Sequence, residues 1–177
     1  MAIKLTPIYI SFQMQQNTIR IADIVAGTSV DGPGLRTSIY ISGCCHQCPG
    51  CHNPQTWDFN FGSLMSIPDI MDIVKENGFN VTLTGGDPLY SIPVITPLIN
   101  AIHAAGYSIW LYTGFSFPQI LELPGINDIL PLIEAIVDGP FDINLRDTSL
   151  CFRGSSNQRI IDVQASLASG IIVTLNY

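Results

Sequence analysis

Charged residues are scarce in this chain. Asp, Glu, Lys and Arg together make up 12% of its 177 residues, about half of the roughly 25% that is usual for globular proteins. Positive charge is the scarcer sign, because 7 Lys and Arg stand against 14 Asp and Glu and give a net charge of -7. A chain without a basic patch is not expected to bind nucleic acid. So few charges also indicate a surface that a partner protein covers.

Long apolar runs are missing too, although the mean hydropathy is +0.34. Gly, Pro, Asn, Asp or Ser interrupts every hydrophobic segment before it reaches the length of a membrane span. Pro7 breaks the apolar N-terminal stretch, and no small-residue cleavage site follows it. Repeats and linker-like tracts are also absent. We therefore predict a cytoplasmic protein with no membrane contact, in which residues 1–17 form an N-terminal extension and residues 18–177 a single domain.

Cysteine, in contrast, is concentrated in one place. Four of the five cysteines lie within eight residues, and the spacing Cys44-x3-Cys48-x2-Cys51 selects three of them. An odd, crowded set fits metal binding in a reducing compartment better than a disulfide framework. Three thiolates on one loop can hold an iron–sulfur cluster or a metal ion, and they leave one metal position open for a substrate or cofactor.

The other two cysteines and His46 have interpretations that do not involve a metal. Cys45 lies outside the three-cysteine spacing, so we interpret it as a small apolar loop residue. Cys151 lies in an apolar segment and is predicted to be in the core. His46 is interpreted as a solvated or loop-bracing imidazole.

Strand and helix patterns alternate along the chain. The strands are predicted at 37–41, 80–84, 107–112 and 135–137, with further short strands at 150–152 and 171–175. The helices are predicted from the Ser66 cap to Gly78, over the stretch that ends at Gly106, and around 118–121 and 126–133. This alternation predicts an α/β fold of parallel β/α units. Because a complete eight-fold barrel needs roughly 200 or more residues, we predict an incomplete, splayed barrel with an open side.

Every chemically unusual loop follows the carboxyl end of a predicted strand. These loops are the cysteine loop, Gly85-Gly86-Asp87, Thr113-Gly114 and Asp138-Gly139. In a parallel sheet such ends converge on one face, where active sites lie. The glycines suit this position because residues without a Cβ let the backbone approach a ligand and adopt positive φ. We therefore expect four distant segments to meet in one site.

The cysteine spacing, followed by Gly85-Gly86-Asp87-Pro88, resembles the radical S-adenosylmethionine (SAM) enzymes. Four strings are similar to the glycyl-radical activating enzymes among them, namely Asp31-Gly-Pro-Gly-Leu-Arg36, Ser42-Gly-Cys44, Cys48-Pro-Gly-Cys51-His-Asn53 and Thr56-Trp57. The string from Arg153 to Gln158 and the small size resemble the activating enzymes of anaerobic ribonucleoside-triphosphate reductase. The resemblance covers about residues 18–163, and the cysteine motif is its most specific part.

The resemblance implies a radical SAM oxidoreductase with a [4Fe-4S] cluster. Cys44, Cys48 and Cys51 would ligate three irons, and the amino and carboxylate groups of SAM would chelate the fourth. One electron then cleaves SAM to methionine and a 5'-deoxyadenosyl radical, which removes a hydrogen atom from a backbone glycine of the partner reductase. The implied partners are this reductase and a reductant such as flavodoxin or ferredoxin.

The resemblance also implies contacts with SAM at two places. Gly85, Gly86 and Asp87 form the segment that contacts the methionine amino group in the family. The alternative for this segment is an ordinary strand-to-helix turn. Many radical SAM enzymes carry an aromatic residue just before the third cysteine, where this chain has Gly50; backbone groups of Gly50, Cys51 and His52, or the His52 side chain, are then candidates for the adenine.

Three further residues are candidates by position. Asp138 is expected to bind the ribose hydroxyls or the methionine end of SAM, or else to hold the Asp-Gly-Pro turn. Arg153 either pairs with the SAM carboxylate or organises its own loop. Thr113 directly follows the predicted strand 107–112 and is therefore also a candidate by its position.

Three alternatives remain open from the sequence. Activation of pyruvate formate-lyase fits the strings around Cys51, although the short chain and the Arg153 string count against it. An iron–sulfur electron carrier would need a fourth cysteine, which neither Cys45 nor Cys151 is obviously spaced to supply. A structural zinc module would combine three cysteines with His46 or His52.

Overall fold

A computed structural model describes residues 18–177 as a mixed α/β fold on one seven-stranded sheet. The strands are β1 (Thr18–Thr28), β2 (Arg36–Ile41), β3 (Ser63–Ser66), β4 (Asn80–Gly85), β5 (Ile109–Tyr112), β6 (Ala135–Asp138) and β7 (Arg159–Asp162). The helices are α1 (Ile67–Asn77), α2 (Ile92–Ala104), α3 (Phe117–Leu121) and α4 (Val163–Ser169). The predicted extension, residues 1–17, lies outside the described residues, and the division into extension and single domain stays a prediction.

The sheet has a parallel centre and antiparallel edges. Its strand order is β3-β1-β2-β4-β5-β6-β7. The neighbours β2, β4, β5 and β6 run parallel, whereas β1, β3 and β7 pair antiparallel. The predicted α/β class is confirmed, and parallel strands form the centre of the sheet as expected, but the antiparallel strands β1, β3 and β7 were not predicted. The incomplete barrel is a finer statement than this strand order, and it stays a prediction.

Helix α1 has the ends that its sequence predicts. The Ser66 hydroxyl accepts a hydrogen bond from the backbone N–H of Asp69 at 3.3 Å, which caps the first turn. Gly78 ends the helix in the left-handed conformation at φ 68°. Helix α2 likewise buries the predicted apolar stripe, which consists of Ile95, Leu98, Ile99 and Ile102.

The two faces of the central sheet differ because side chains alternate along each strand. One face packs against the helices and forms the main core, with Ile39, Ile41, Leu83, Leu111 and Ile136 from the strands. The intervening positions of β2, β4 and β5 carry polar and aromatic side chains, namely Ser38, Tyr40, Thr82, Thr84, Trp110 and Tyr112. The face opposite the helices is therefore the one that can offer hydrogen bonds.

Two predicted strands near the C-terminus are corrected by the structure. Residues 150–152 form a turn in which Phe152 has φ 58°, so alternation along a strand does not apply there. Cys151 is accordingly exposed and not part of the core. Residues 171–175 contribute only an isolated bridge between Thr174 and Ile161.

The helices of residues 18–177 are each too short or too polar to cross a bilayer. The cytoplasmic location stays a prediction.

Candidate functional site

A cavity of about 460 Å³ lies at the carboxyl ends of the parallel strands. Ligand sites commonly have about 300 to 1,000 Å³. Its walls come from the cysteine loop after β2 and from the segments after β4, β5 and β6, and they include Cys44, Gly86, Thr113 and Gly139. The expected meeting of four distant segments is therefore confirmed.

The cavity separates the predicted ligand cysteines from their neighbour. Cys44, Cys48 and Cys51 all line it, whereas Cys45 is exposed and does not. Burial raises the pKa of the Cys44 thiol to about 11, and the backbone amides of His46 and Gln47 act in the opposite direction. The backbone N–H of Asn53 donates to the Sγ of Cys51 at 3.4 Å.

These three thiols are of the donor type that an iron–sulfur cluster takes. Soft sulfur donors are the ligands of iron–sulfur clusters. Within residues 18–177, no three His, Cys, Asp or Glu side chains lie close enough to hold one metal ion.

Backbone contacts hold the cysteine loop against the segment that follows it. Gly43 N donates to Thr56 O at 2.8 Å, and Cys44 N donates to Trp57 O at 3.2 Å. The ring of Phe59 lies directly on Gly43, where an added Cβ would approach the ring at 2.3 Å. Gly43 also has φ 106°, so both its backbone conformation and this contact favour glycine at the start of the loop.

Gly85 and Gly86 permit a close approach of backbone to backbone. A Cβ on Gly85 would meet the Ile41 N at 2.6 Å, and Gly85 also has φ 103°. A Cβ on Gly86 would meet the carbonyl oxygen of Gly43 at 2.6 Å and that of Thr56 at 2.8 Å. Gly86 lines the cavity and Gly85 does not. The two glycines thus allow the loop after β4 to press against the cysteine loop, whatever ligand the cavity takes.

Asp87 joins three of the loops. Its carboxylate is 1% exposed and accepts four hydrogen bonds within the protein. The donors are His46 Nε2 at 2.9 Å, Leu89 N at 3.0 Å, Thr113 Oγ1 at 2.8 Å and Gly114 N at 2.9 Å. Asp87 also lines the cavity. Its contact with SAM stays a prediction, while its contacts with the other loops are direct.

His46 is packed as well as hydrogen-bonded. Its ring lies 4.6 Å from that of Phe115 and 5.2 Å from that of Tyr90, measured between centroids. A Cβ on Gly114 would come within 2.4 Å of the imidazole. The side chain is 18% exposed and lines the cavity. His46 is therefore a loop-bracing residue, as one of the two sequence interpretations has it.

Asp138 lies outside the cavity lining. It is the last residue of β6 and shares the helix-facing side of the sheet with Ile136. Its carboxylate is 1% exposed, accepts from both Nε and Nη2 of Arg159, and accepts from Phe117 N at the start of α3. The geometry therefore gives the predicted contact between Asp138 and the cofactor no support. Thr113 does line the cavity, and its hydroxyl donates to Asp87.

Of the two predicted adenine contacts Gly50 and His52, only His52 lines the cavity. Gly50 is not part of the lining, because the side chain of Ile143 occupies the space beside it and would meet an added Cβ at 2.9 Å. His52 lines the cavity and packs against Phe141, with 5.2 Å between ring centroids and a 45° tilt. The aromatic surface next to the third cysteine is thus built from two distant residues.

The wall remote from the cysteines contains residues that sequence reasoning missed. Tyr40 and Tyr112 line the cavity together with Asp31 and Phe152. The Tyr40 hydroxyl donates to Asp31 at 3.1 Å, and burial, followed by the Asp31 charge, raises the pKa of Tyr40 to about 12. The Tyr112 hydroxyl donates to the Phe152 carbonyl at 2.8 Å. Alternation along β2 and β5 is the signal that places both tyrosines opposite the aliphatic face.

Arg153 follows Phe152 and has an unused donor. Its Nη1 donates to the Gln158 carbonyl at 3.1 Å, so the side chain does organise its own loop. Its Nε is buried and finds no acceptor within residues 18–177. A buried donor without a partner is costly, and Arg153 lines the cavity. The positive charge of Arg153 at the cavity lining suits an anionic group there.

Comparison with known proteins points to one family. Residues 30–161 match the family described as a 4Fe-4S single cluster domain. The chain is 39% identical over 141 residues to the anaerobic ribonucleoside-triphosphate reductase-activating protein of Escherichia coli K12, which covers 73% of this chain and 89% of that protein. The protein of that name from Salmonella typhimurium is 38% identical over 140 residues, with coverage of 73% and 89%.

Among solved structures, QueE from Escherichia coli matches with a TM-score of 0.49 and 20% identity, over 60% of this chain and 56% of that chain. This likeness is too weak to inform the function.

Proposed function

Because the chain belongs to the family of anaerobic ribonucleoside-triphosphate reductase-activating proteins, we propose that it activates such a reductase by radical SAM chemistry. The observation that carries this proposal is the separation of the cysteines: Cys44, Cys48 and Cys51 line one cavity, while Cys45 is exposed outside it. Three thiols on one wall suit a cluster with one open metal position. The class of enzyme is then a radical SAM oxidoreductase.

The cofactors are a [4Fe-4S] cluster and SAM. Cys44, Cys48 and Cys51 would hold three irons of the cluster. When bound, the cluster supplies the electron that cleaves SAM to methionine and the 5'-deoxyadenosyl radical, which takes a hydrogen atom from a glycine of the reductase. The chain's own part is to hold the loops together through Asp87 and to surround the reacting groups with protein.

Two features of the cavity suit SAM. The aromatic pair of His52 and Phe141 lies beside the third cysteine and offers a surface for the adenine. Arg153 lines the cavity and suits the SAM carboxylate, since guanidinium and carboxylate form strong charge-assisted hydrogen bonds. Gly86, Asp87 and Thr113 remain proposed contacts because they line the same cavity.

The partners in this proposal are the anaerobic ribonucleoside-triphosphate reductase and a reductant such as flavodoxin or ferredoxin. The scarcity of charge, 12% of the residues, supports a protein substrate that covers part of the surface. We also propose that the sheet curves as an incomplete barrel whose open side admits the glycine-bearing segment of the reductase. This would place the reaction in the cytoplasm, where thiols stay reduced.

The test is anaerobic. The cluster is reconstituted, dithionite and SAM are added, and 5'-deoxyadenosine and methionine are quantified. Equal amounts of the two products are expected, and added reductase should then show the electron paramagnetic resonance (EPR) signal of a glycyl radical. A preparation with a full iron complement and no products would indicate an electron carrier, whereas bound zinc without iron would indicate a structural module.

Two cysteine variants make this test specific to the ligand assignment. Cys48→Ala should abolish SAM cleavage because it removes one of three cluster ligands. Cys45→Ala should retain it, since that thiol is exposed and outside the cavity. Equal loss of activity in both variants would refute the assignment.

A further inference from the structure

His46 is the one side chain of the cysteine loop that is tied firmly to the neighbouring strand ends. Its Nε2 lies 2.9 Å from Oδ2 of Asp87, and the two residues are 41 positions apart in the sequence. Because a carboxylate oxygen only accepts, Nε2 carries the proton in this contact. Phe115 and Tyr90 pack on the ring. The imidazole is therefore held from several sides.

Asp87 is built to hold this contact. The same Oδ2 atom accepts from Thr113 Oγ1 and Gly114 N, both after β5, and Oδ1 accepts from Leu89 N. These donors bind both oxygens of the Asp87 carboxylate, so the carboxylate has little freedom to rotate. The Asp87 backbone is fixed too, because its N–H donates to the Gly43 carbonyl at 2.9 Å.

The loop between Cys44 and Cys48 adopts a conformation that needs such support. Gln47, which follows His46, has φ 48°, a left-handed value that is uncommon for a residue with a Cβ. Strain of this kind persists only where surrounding contacts determine the conformation. Successive amides around a left-handed residue can form a concave anion-binding arrangement, and here those amides lie between Cys44 and Cys48.

We propose that His46 and Asp87 form a clamp that sets the conformation of the Cys44–Cys51 loop and thereby the reduction potential of the cluster. This inference rests on the proposed function. Both are positioning residues, since neither needs to touch the cluster. Amides directed at the cysteine sulfurs stabilise negative charge, and the reduced cluster carries one more negative charge than the oxidised one. Releasing the clamp should therefore make reduction harder.

The experiment measures potential, not activity. The cluster is reconstituted in the wild type, His46→Ala, Asp87→Asn and the double variant, and each is titrated anaerobically with EPR detection of the reduced cluster. Cys45→Ser is the matched control, because it changes an exposed residue of the same loop. His46→Gln is a second variant that keeps a side-chain N–H donor.

We expect each single variant to shift to a more negative potential by about 59 mV or more, which is a tenfold change in the ratio of reduced to oxidised cluster for one electron. Because the residues act as one clamp, the double variant should show the same shift as the single variants. His46→Gln should recover part of the shift. Loss of iron loading in His46→Ala and Asp87→Asn, with full loading in the control, would also support the clamp.

Unchanged potentials in both single variants, or strictly additive shifts in the double variant, would overturn the proposal. An equal shift in Cys45→Ser would do so as well, since it would mean that any change in the loop alters the cluster. The proposed function is judged separately, by the cluster spectrum and the SAM cleavage of the wild type.

Discussion

The parallel strands β4 and β6 each have an aspartate at or just beyond their carboxyl end, yet the two aspartates serve different parts of the molecule. Asp87 and Asp138 are both 1% exposed and both accept several hydrogen bonds. Asp87 faces the cavity and joins the cysteine loop to the end of β5. Asp138 faces the helices, pairs with Arg159 and binds the start of α3.

The difference follows from the length of each strand. Asp138 is the last residue of β6, so strand alternation places it on the side of Ile136. Asp87 lies two positions beyond the end of β4 at Gly85, where alternation no longer applies and the Gly-Gly turn sets its direction. Whether the strand ends at the aspartate or two residues before it thus decides whether that side chain faces the helices or the cavity.

Of the loops after β4 and β6, the loop after β4 is the one that packs closely against the cysteine loop. The largest effect should come from a substitution that blocks this packing. In Gly86→Ala, the new Cβ would meet two carbonyl oxygens at 2.6 and 2.8 Å, those of Gly43 and Thr56. The cysteine loop must move, so we expect loss of most of the bound iron. Iron and sulfide analysis after reconstitution measures this.

Gly139→Ala is the matched variant in the loop after β6. Gly139 has φ 95°, but the nearest atom to an added Cβ is 3.9 Å away. The cost is then only that of a left-handed alanine, about 1 kcal/mol, and iron loading should stay normal. Equal iron loss in both variants would remove the distinction between the two loops.

The second effect concerns the Asp138 carboxylate at the end of β6. Asp138→Ala leaves the buried N–H of Phe117 without its acceptor and Arg159 without its carboxylate. We expect the free energy of unfolding to fall by about 2 kcal/mol, measured by urea denaturation, while SAM binding by the folded protein is unchanged. Weaker SAM binding at equal folded fraction would instead support the cofactor contact that the sequence predicts for Asp138.

The smallest effect should separate two arginines of the segment after β6. Arg153→Met removes a positive charge from the cavity lining, and we expect the Kd for SAM to rise about tenfold, or about 1.4 kcal/mol. Arg146→Met is the control, because Arg146 is exposed and outside the cavity lining. Anaerobic equilibrium dialysis measures both, and equal Kd values would show that Arg153 only organises its loop.

Much of the site was predictable from short-range patterns. The cysteine spacing, the cap at Ser66, the stop at Gly78 and the meeting of loops after parallel strands all follow from signals within a few residues, and the structure has each of these features. The antiparallel strands β1, β3 and β7 were missed, because strand preference reflects packing against cross-strand neighbours more than the residues of the strand alone. Cys151 was misplaced because its segment forms a turn.

The sequence by itself determined the thiol spacing, the parallel centre of the sheet and the family. Tertiary structure alone decided which aspartate faces the cavity, what His46 contacts and where Arg153 lies. The physical reason is separation along the chain: His46 and Asp87 are 41 positions apart, and Tyr112 and the Phe152 carbonyl are 40 apart. Such contacts depend on how segments distant in the chain pack together in the fold, and a pattern within a few residues does not specify that packing.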